Sequence, residues 1–187
     1  MLARYDCCNA RQSFNRGNRG NIRMTAAFWE TKSLEEMTQK EWESLCDGCG
    51  KCCLQKFIDD DAVEEYEVTD HINDNEKIHY TNIVCTYLNT KKCECTQYER
   101  RTELVPDCVK LTKENLKDIF FMPNSCTYRR LYEGRGIPSW HPLLNKGKKH
   151  VMHAKGMSVR NKTVFETDVD LNNFEDYIAI WPLEDLD

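Results

Sequence analysis

The sequence predicts a small, loop-rich α+β domain held together by cysteine-bound metal. Short amphipathic segments with capping signals alternate with short strand-like runs, and the connections between them are long. The chain also holds 11 cysteines in 187 residues. Long loops in a small domain need something besides an apolar core to fix them. The length suits one domain. A hydrophobic content of 40%, with 7 Phe, 8 Tyr and 4 Trp, supplies a modest core and excludes wholesale disorder. No run approaches the roughly 18 apolar residues of a membrane helix, so a spanning protein is excluded.

Residues 1–23 carry Arg4, Arg11, Arg16, Arg19 and Arg23 against Asp6 alone, a charge of +4 in a chain of -5 overall, which leaves -9 on residues 24–187. This leading stretch has no hydrophobic period and reads as a disordered tail or as an artefact of start-site choice, with translation from Met24. Its Arg-rich composition loosely fits an organelle transit peptide, but it has no apolar run of a secretory signal. The expected location is therefore cytoplasmic, where thiols stay reduced or bind metal. A body at -9 repels phosphate backbones, which argues against a nucleic-acid partner.

Residues 24–187 form the expected metal-binding domain. Ser33-Leu34-Glu35-Glu36 and Thr38-Gln39-Lys40-Glu41 each fit a capping box, and Leu34, Met37, Trp42 and Leu45 follow at near-helical spacing. One or two short helices thus deliver the chain to Cys46. Strands are expected at Leu54–Ile58 and His79–Val84, joined by an acidic, solvated excursion that lacks the spacing of an EF-hand loop. Thr112 is a candidate cap for a helix through Leu116 and Ile119. Ser125 is a candidate cap for a helix from Cys126 to Glu133, stopped by Gly134. Ser158–Phe165 alternates as a strand, and Phe174–Trp181 reads as a closing helix ended by Pro182.

The densest signal is Cys46-Asp47-Gly48-Cys49-Gly50-Lys51-Cys52-Cys53. Two-residue gaps let successive thiolates curl round one metal centre, and glycines permit the tight turns and free amides such a loop needs. Buried thiols acting as small hydrophobes would have little apolar company beside Asp, Gly and Lys. Cys85, Cys93, Cys95, Cys108 and Cys126 follow. Cys93 and Cys95 would share one side of an extended chain, and Cys126 would sit at a helix N-terminus that favours its thiolate.

Nine thiols fit one four-thiolate site with five to spare, or two sites with one left over. Adjacent Cys52 and Cys53 point apart in most conformations, which favours two neighbouring centres. Zinc and iron–sulfur compete. Zinc knuckles usually pair C-x₂₋₄-C units, whereas Cys46, Cys49 and Cys52 match the opening of the ferredoxin run C-x₂-C-x₂-C-x₃-C-P. That match ends at Lys56 and Phe57, where the last Cys and Pro would stand. The radical-SAM spacing C-x₃-C-x₂-C is absent.

The stretches FWETKSLEEMTQKEWESLCDGCGKCCLQK, TNIVCTYLNTKKCECTQYERR, VPDCVKLTKENL and CTYRRLYEGRGIPSWHPLL, with Met157-Ser158-Val159-Arg160, resemble the bacterial YcgN-like proteins of the CxxCxxCC cysteine-cluster family. The resemblance covers about residues 28–182. It implies a soluble bacterial protein that chelates zinc or iron and has no assigned reaction. Position by position it implies Cys46, Cys49, Cys52, Cys53, Cys85, Cys93, Cys95, Cys108 and Cys126 as the metal-binding set. Cys7 and Cys8 fall outside it. The chain is longer than the family pattern between Gln55 and His79, by about a dozen residues, and His71 lies in that excess. The wider group includes a flagellin lysine methylase, so a methyl-transfer enzyme follows by analogy alone.

His141 in Trp140-His141-Pro142 is expected to be a structural histidine. His150 and His153 are expected in a solvated loop, and Tyr98 and Tyr128 in the core. Arg100, Arg101, Arg129 and Arg130 could offset thiolate charge or form surface salt bridges. No P-loop, G-x-G-x-x-G or H-E-x-x-H motif occurs. The functional readings are an iron–sulfur or zinc protein engaged in electron transfer or redox sensing with an unidentified protein partner, a structural zinc module for protein interaction, and an enzyme by analogy.

Overall fold

The computed structural model describes residues 26–58 and 78–182. The leading stretch with Cys7 and Cys8, and most of the acidic excursion with His71, lie outside the described residues.

Two short helices open the chain, α1 (Phe28–Thr31) and α2 (Gln39–Ser44). The second starts as its sequence requires: Thr38 accepts from the Glu41 amide while the Glu41 carboxylate accepts from the Thr38 amide, a complete capping box. At Ser33 only half of the box forms, the Ser33 amide donating to Glu36 at 2.8 Å, and no helix follows.

Strands β1 (Leu54–Ile58) and β2 (Ile78–Val84) pair antiparallel, with Leu54 opposite Val84 and a register irregularity between Leu54 and Lys56. A two-stranded ribbon follows, β3 (Leu88–Asn89) and β4 (Glu94–Cys95), with Leu88 opposite Cys95. Next come α3 (Arg101–Leu104), α4 (Thr127–Tyr132), α5 (His150–Ala154) and β5 (Val164–Phe165). Strand β5 lies parallel to β2 and completes a sheet of order β1-β2-β5. The fold is α+β and rich in loops, as expected.

Four expected elements differ. The helix from Thr112 is a single 3-10 turn, Leu116–Asp118, because the Asn115 side chain binds the Thr112 amide and the Lys110 carbonyl and holds the backbone in a turn. Helix α4 has Cys126, not Ser125, at its N-cap, and Ser125 turns inward. Gly134, at φ 72°, ends that segment as expected. Of Ser158–Phe165 only Val164–Phe165 is strand, since Asn161 adopts φ 57° and breaks the extended run. The closing helix is a 3-10 stretch over Leu171–Tyr177, after which the chain straightens. The Ala179 amide bonds the Tyr80 carbonyl at 2.8 Å and Trp181 is buried. Sheet pairing there outcompetes local helix periodicity.

The apolar interior is divided into three small clusters. One gathers Met37, Trp42, Leu45, Leu116, Ile119, Met122, Cys126 and Tyr128. A second gathers Leu54, Tyr80, Val84, Leu88, Cys93, Val159 and Trp181. The third holds Trp140, Met152 and Met157 with Cys49 against them. The 46–53 turn lies where the three meet, because Cys49 packs on the third, Cys53 on the second, and its buried Lys51 reaches Ser125 beside the first.

Candidate metal centre

The Cys46–Cys53 turn owes its path to two left-handed glycines, Gly48 at φ 70° and Gly50 at φ 80°. A Cβ on Gly50 would stand 2.6 Å from Val159 Cγ2, so that position needs glycine for space as well as for conformation. Asp47 is buried: one of its carboxylate oxygens accepts from the Cys49 amide at 3.0 Å, the other from Trp140 Nε1 at 3.4 Å. The Val159 amide bonds the Cys49 carbonyl at 2.9 Å and fixes the far side of the turn.

The backbone then supplies donors to sulfur. The amide of Gly48 faces Cys46, that of Lys51 faces Cys49, that of Tyr87 faces Cys85, and those of Tyr128 and Arg129 face Cys126. In each case an N–H two residues downstream of the cysteine points at its sulfur. Such donors favour a charged sulfur over a neutral one, which is what a thiolate ligand needs.

Burial opposes them. It pushes the thiols of Cys46, Cys49, Cys85, Cys93 and Cys108 upward, and that of Cys126 up to about 12. Cys52 is raised first by its hydrogen bond with Cys53, the two sulfurs 3.9 Å apart, then by the Cys53 charge and by burial. Cys46 and Cys52 are nonetheless exposed at the surface, so water screens part of their shift. At Cys126 the amides of Tyr128 and Arg129 at the helix start favour the thiolate, and burial opposes them.

The thiols interact electrostatically as one continuous set, with Cys52 coupled to Cys46, Cys49, Cys126 and Cys108. Cys46 also senses Cys126. Cys85 senses Cys95 and Cys108, and Cys108 senses Cys95 and Cys52. Cys93 stands apart. At φ 54° its side chain leaves the extended line, so it does not share a side with Cys95, and it is buried in the second cluster. The thiols stand as neighbours; among the described residues no three Cys, His, Asp or Glu groups converge as they would round a bound ion. The donor set itself, thiol sulfur with amide donors behind it, fits the softer metals zinc and iron and not a hard cation.

Two lysines invisible to sequence reasoning complete the surroundings. Lys51 is fully buried, donating to Ser125 Oγ at 3.2 Å and to the Pro182 carbonyl, and burial lowers its pKa. Lys56 stands where the ferredoxin run would place its last cysteine. Its ammonium donates to the carbonyls of Cys52 and Leu54 at 3.2 and 2.9 Å. A lysine within a cysteine motif was the available signal, but nothing local announces its burial.

His141 is fully buried and structural: Nδ1 accepts from the Leu143 amide at 3.1 Å and Nε2 lies 3.0 Å from the Leu45 carbonyl, which uses both nitrogens. His150 and His153 belong to helix α5, not to a loop, and His153 Nδ1 is 2.7 Å from Ser158 Oγ. Tyr128 is core, its hydroxyl on the Trp42 carbonyl, whereas Tyr98 is 41% exposed and covered by Arg101 at 3.9 Å. Arg129 holds the Phe120 and Met122 carbonyls, and Arg100 pairs with Glu103 on the surface.

The CxxCxxCC family, described as "Putative zinc- or iron-chelating domain", matches residues 45–127. The chain is 48% identical over 161 residues to a UPF0260 protein of Shewanella denitrificans, covering 86% of this chain and 99% of the relative. A UPF0260 protein of Shewanella oneidensis is 47% identical with the same coverage. One of Vibrio campbellii is 46% identical, covering 85% of this chain and 95% of its own length. The chain belongs to the UPF0260 family. Membership in this YcgN-like group bears out the resemblance read from the sequence, and with it the assignment of a metal-binding cysteine domain. No solved structure matches the chain. Among the described residues no helix is long and apolar enough to cross a membrane.

Proposed function

We propose that this UPF0260 protein is a cytoplasmic iron–sulfur protein that transfers electrons or senses redox state. The observation that carries the reading is the repeated amide-to-sulfur contact two residues beyond Cys46, Cys49, Cys85 and Cys126. Hydrogen bonds to sulfur and solvent exposure are the levers by which a protein sets a cluster's potential. The x₂, x₂ spacing of Cys46, Cys49 and Cys52 supports iron over zinc. Exposure of Cys46 and Cys52 supports exchange with a partner, because a centre ligated there lies near the surface. The residues that would hold the metal are drawn from Cys46, Cys49, Cys52, Cys53, Cys85, Cys95, Cys108 and Cys126, and the metal would supply the redox chemistry.

Anaerobic purification followed by a visible spectrum and elemental analysis tests this. Brown protein with iron and inorganic sulfide is the expected result. Colourless protein with stoichiometric zinc would overturn it and favour closed structural sites in an interaction module. In either case chelation should unfold the domain, because three small cores contribute too little without the metal. A melt unchanged by chelation would count against a structural metal.

A further inference from the structure

We propose that a basic face beside the cysteine turn, carrying Lys91, Lys92, Lys146, Lys148, Arg160 and Lys162, is the docking surface for a protein partner that presents a cluster of carboxylates. This adds a partner surface to the metal-binding reading and holds whichever metal is bound.

Charge is segregated along the chain. Residues 145–162 hold Lys146, Lys148, Lys149, Lys155, Arg160 and Lys162 and no Asp or Glu, a charge of +6 in a chain of -5, which leaves -11 on the remainder. Tertiary contacts then bring this segment against a second pair of lysines. The Asn89 side chain fixes the tip of the β3–β4 ribbon by accepting from the amides of Lys91 and Lys92 at 3.1 and 3.0 Å. The Asn161 amide bonds the Thr90 carbonyl at 3.2 Å, so the 160–162 segment runs beside that tip. Lys149, at the start of α5, donates to the Lys92 carbonyl at 3.3 Å and to Glu94 at 3.2 Å. His153 of the same helix lies 2.7 Å from Ser158.

The cations so gathered keep their charge at the surface. Lys91, Lys92, Lys146, Lys148, Arg160 and Lys162 are exposed, and among the described residues none of them pairs with a carboxylate. Their field is felt within the fold: His153 is lowered first by burial and then by the Arg160 and Lys149 charges. Like charges held this close repel one another, and a partner's carboxylates would relieve that repulsion.

The face abuts the cysteine turn. Lys149 Nζ lies against Gly48, 2.5 Å from where a Cβ there would stand, and the Val159 amide, next to Arg160, bonds the Cys49 carbonyl at 2.9 Å. A protein docked here is therefore seated against the turn itself. An acidic protein surface fits better than a nucleic acid because it can match the face locally. A duplex carries one charge about every 1.7 Å of its axis and would run on over a remainder at -11.

The test uses full-length protein purified anaerobically and a fluorescent peptide of mixed Asp and Glu. Wild type should bind the peptide, and binding should weaken by about tenfold or more from low to physiological salt. Lys91→Glu/Lys92→Glu and Lys148→Glu/Arg160→Glu should each weaken it by about tenfold or more, whereas Lys110→Glu/Lys117→Glu, the same charge change at exposed lysines outside the face, should alter it by less than about threefold. Metal content and the circular dichroism melt should match wild type in all three variants. Equal weakening in the Lys110/Lys117 variant would reduce the effect to net charge and overturn the proposal. Tighter binding of a short DNA duplex than of the peptide would overturn it in favour of a nucleic acid. Self-association of wild type that the face variants abolish would overturn it in favour of a second copy. Peptide binding at the face by wild-type protein that carries no metal would support the docking surface and overturn the metal-binding reading alone.

Discussion

Lys51 Nζ donates to Ser125 Oγ at 3.2 Å across 74 positions of sequence, inside a protein interior that leaves neither side chain exposed to water. This contact joins the cysteine turn to the start of α4, and its second partner, the Pro182 carbonyl, ties in the closing segment. Lys51 replaced by Met keeps most of the volume but strands both acceptors. We expect a loss of about 1–3 kcal/mol, the cost of unsatisfied buried polar groups, read by denaturant melts of the metal-loaded protein. A Lys51→Met variant as stable as wild type would show that the ammonium contributes no net stabilisation.

Gly50 is constrained twice, by φ 80° and by Val159 Cγ2 at 2.6 Å from a built Cβ. Gly50→Ala should destabilise by about 1–3 kcal/mol through overpacking, with the left-handed backbone adding to it. Val159→Ala opens the missing space. Its combination with Gly50→Ala should therefore cost at least 0.5 kcal/mol or so less than the sum of the singles. Strict additivity would place the whole penalty in the backbone.

His141 gives stability a pH dependence. Burial holds its pKa below the ordinary imidazole value, opposed by the Leu45 carbonyl and Asp47. The folded state thus takes up a proton less readily than the unfolded chain. The stability it contributes is present above about pH 6.5 and is lost as pH falls toward the folded value. His153, lowered mainly by burial, acts in the same direction. Melting temperature should decline from pH 7 to 5, and His141→Gln should flatten that slope. A slope identical in the variant would assign the effect elsewhere.

The α2 cap is a local test. Lys32 beside Glu41, with the Thr38 amide, draws that carboxyl down to about 2. Its carboxylate form therefore supports the cap above the ordinary glutamate range and loses that role only as pH falls through about 2. Carbon-detected titration of Glu41 should show this low midpoint, and an ordinary glutamate value would contradict the capping-box geometry. Thr38→Ala should cost about 1 kcal/mol.

Local signals are decisive where a few adjacent residues set the outcome. The Thr38–Glu41 box, strands β1 and β2, and the Gly134 stop all depend on short-range chemistry. The helices expected at Thr112 and over Phe174–Trp181 did not form as such, because an Asn115 side chain and the edge of β2 offered the backbone better partners. Family membership was likewise legible, since it rests on cysteine order and spacing.

By itself, then, the sequence determined the donor chemistry: soft thiols, two-residue gaps and glycines that let amides face sulfur. Only the tertiary structure decided which distant thiols become neighbours, that Cys93 joins the core, and that Lys51 is buried among them. Spacing governs what a turn can do within a few residues. The meeting of Cys126 with the turn, and of Cys85 with Cys53, depends on how strands pair and how three small cores pack, which no local period records.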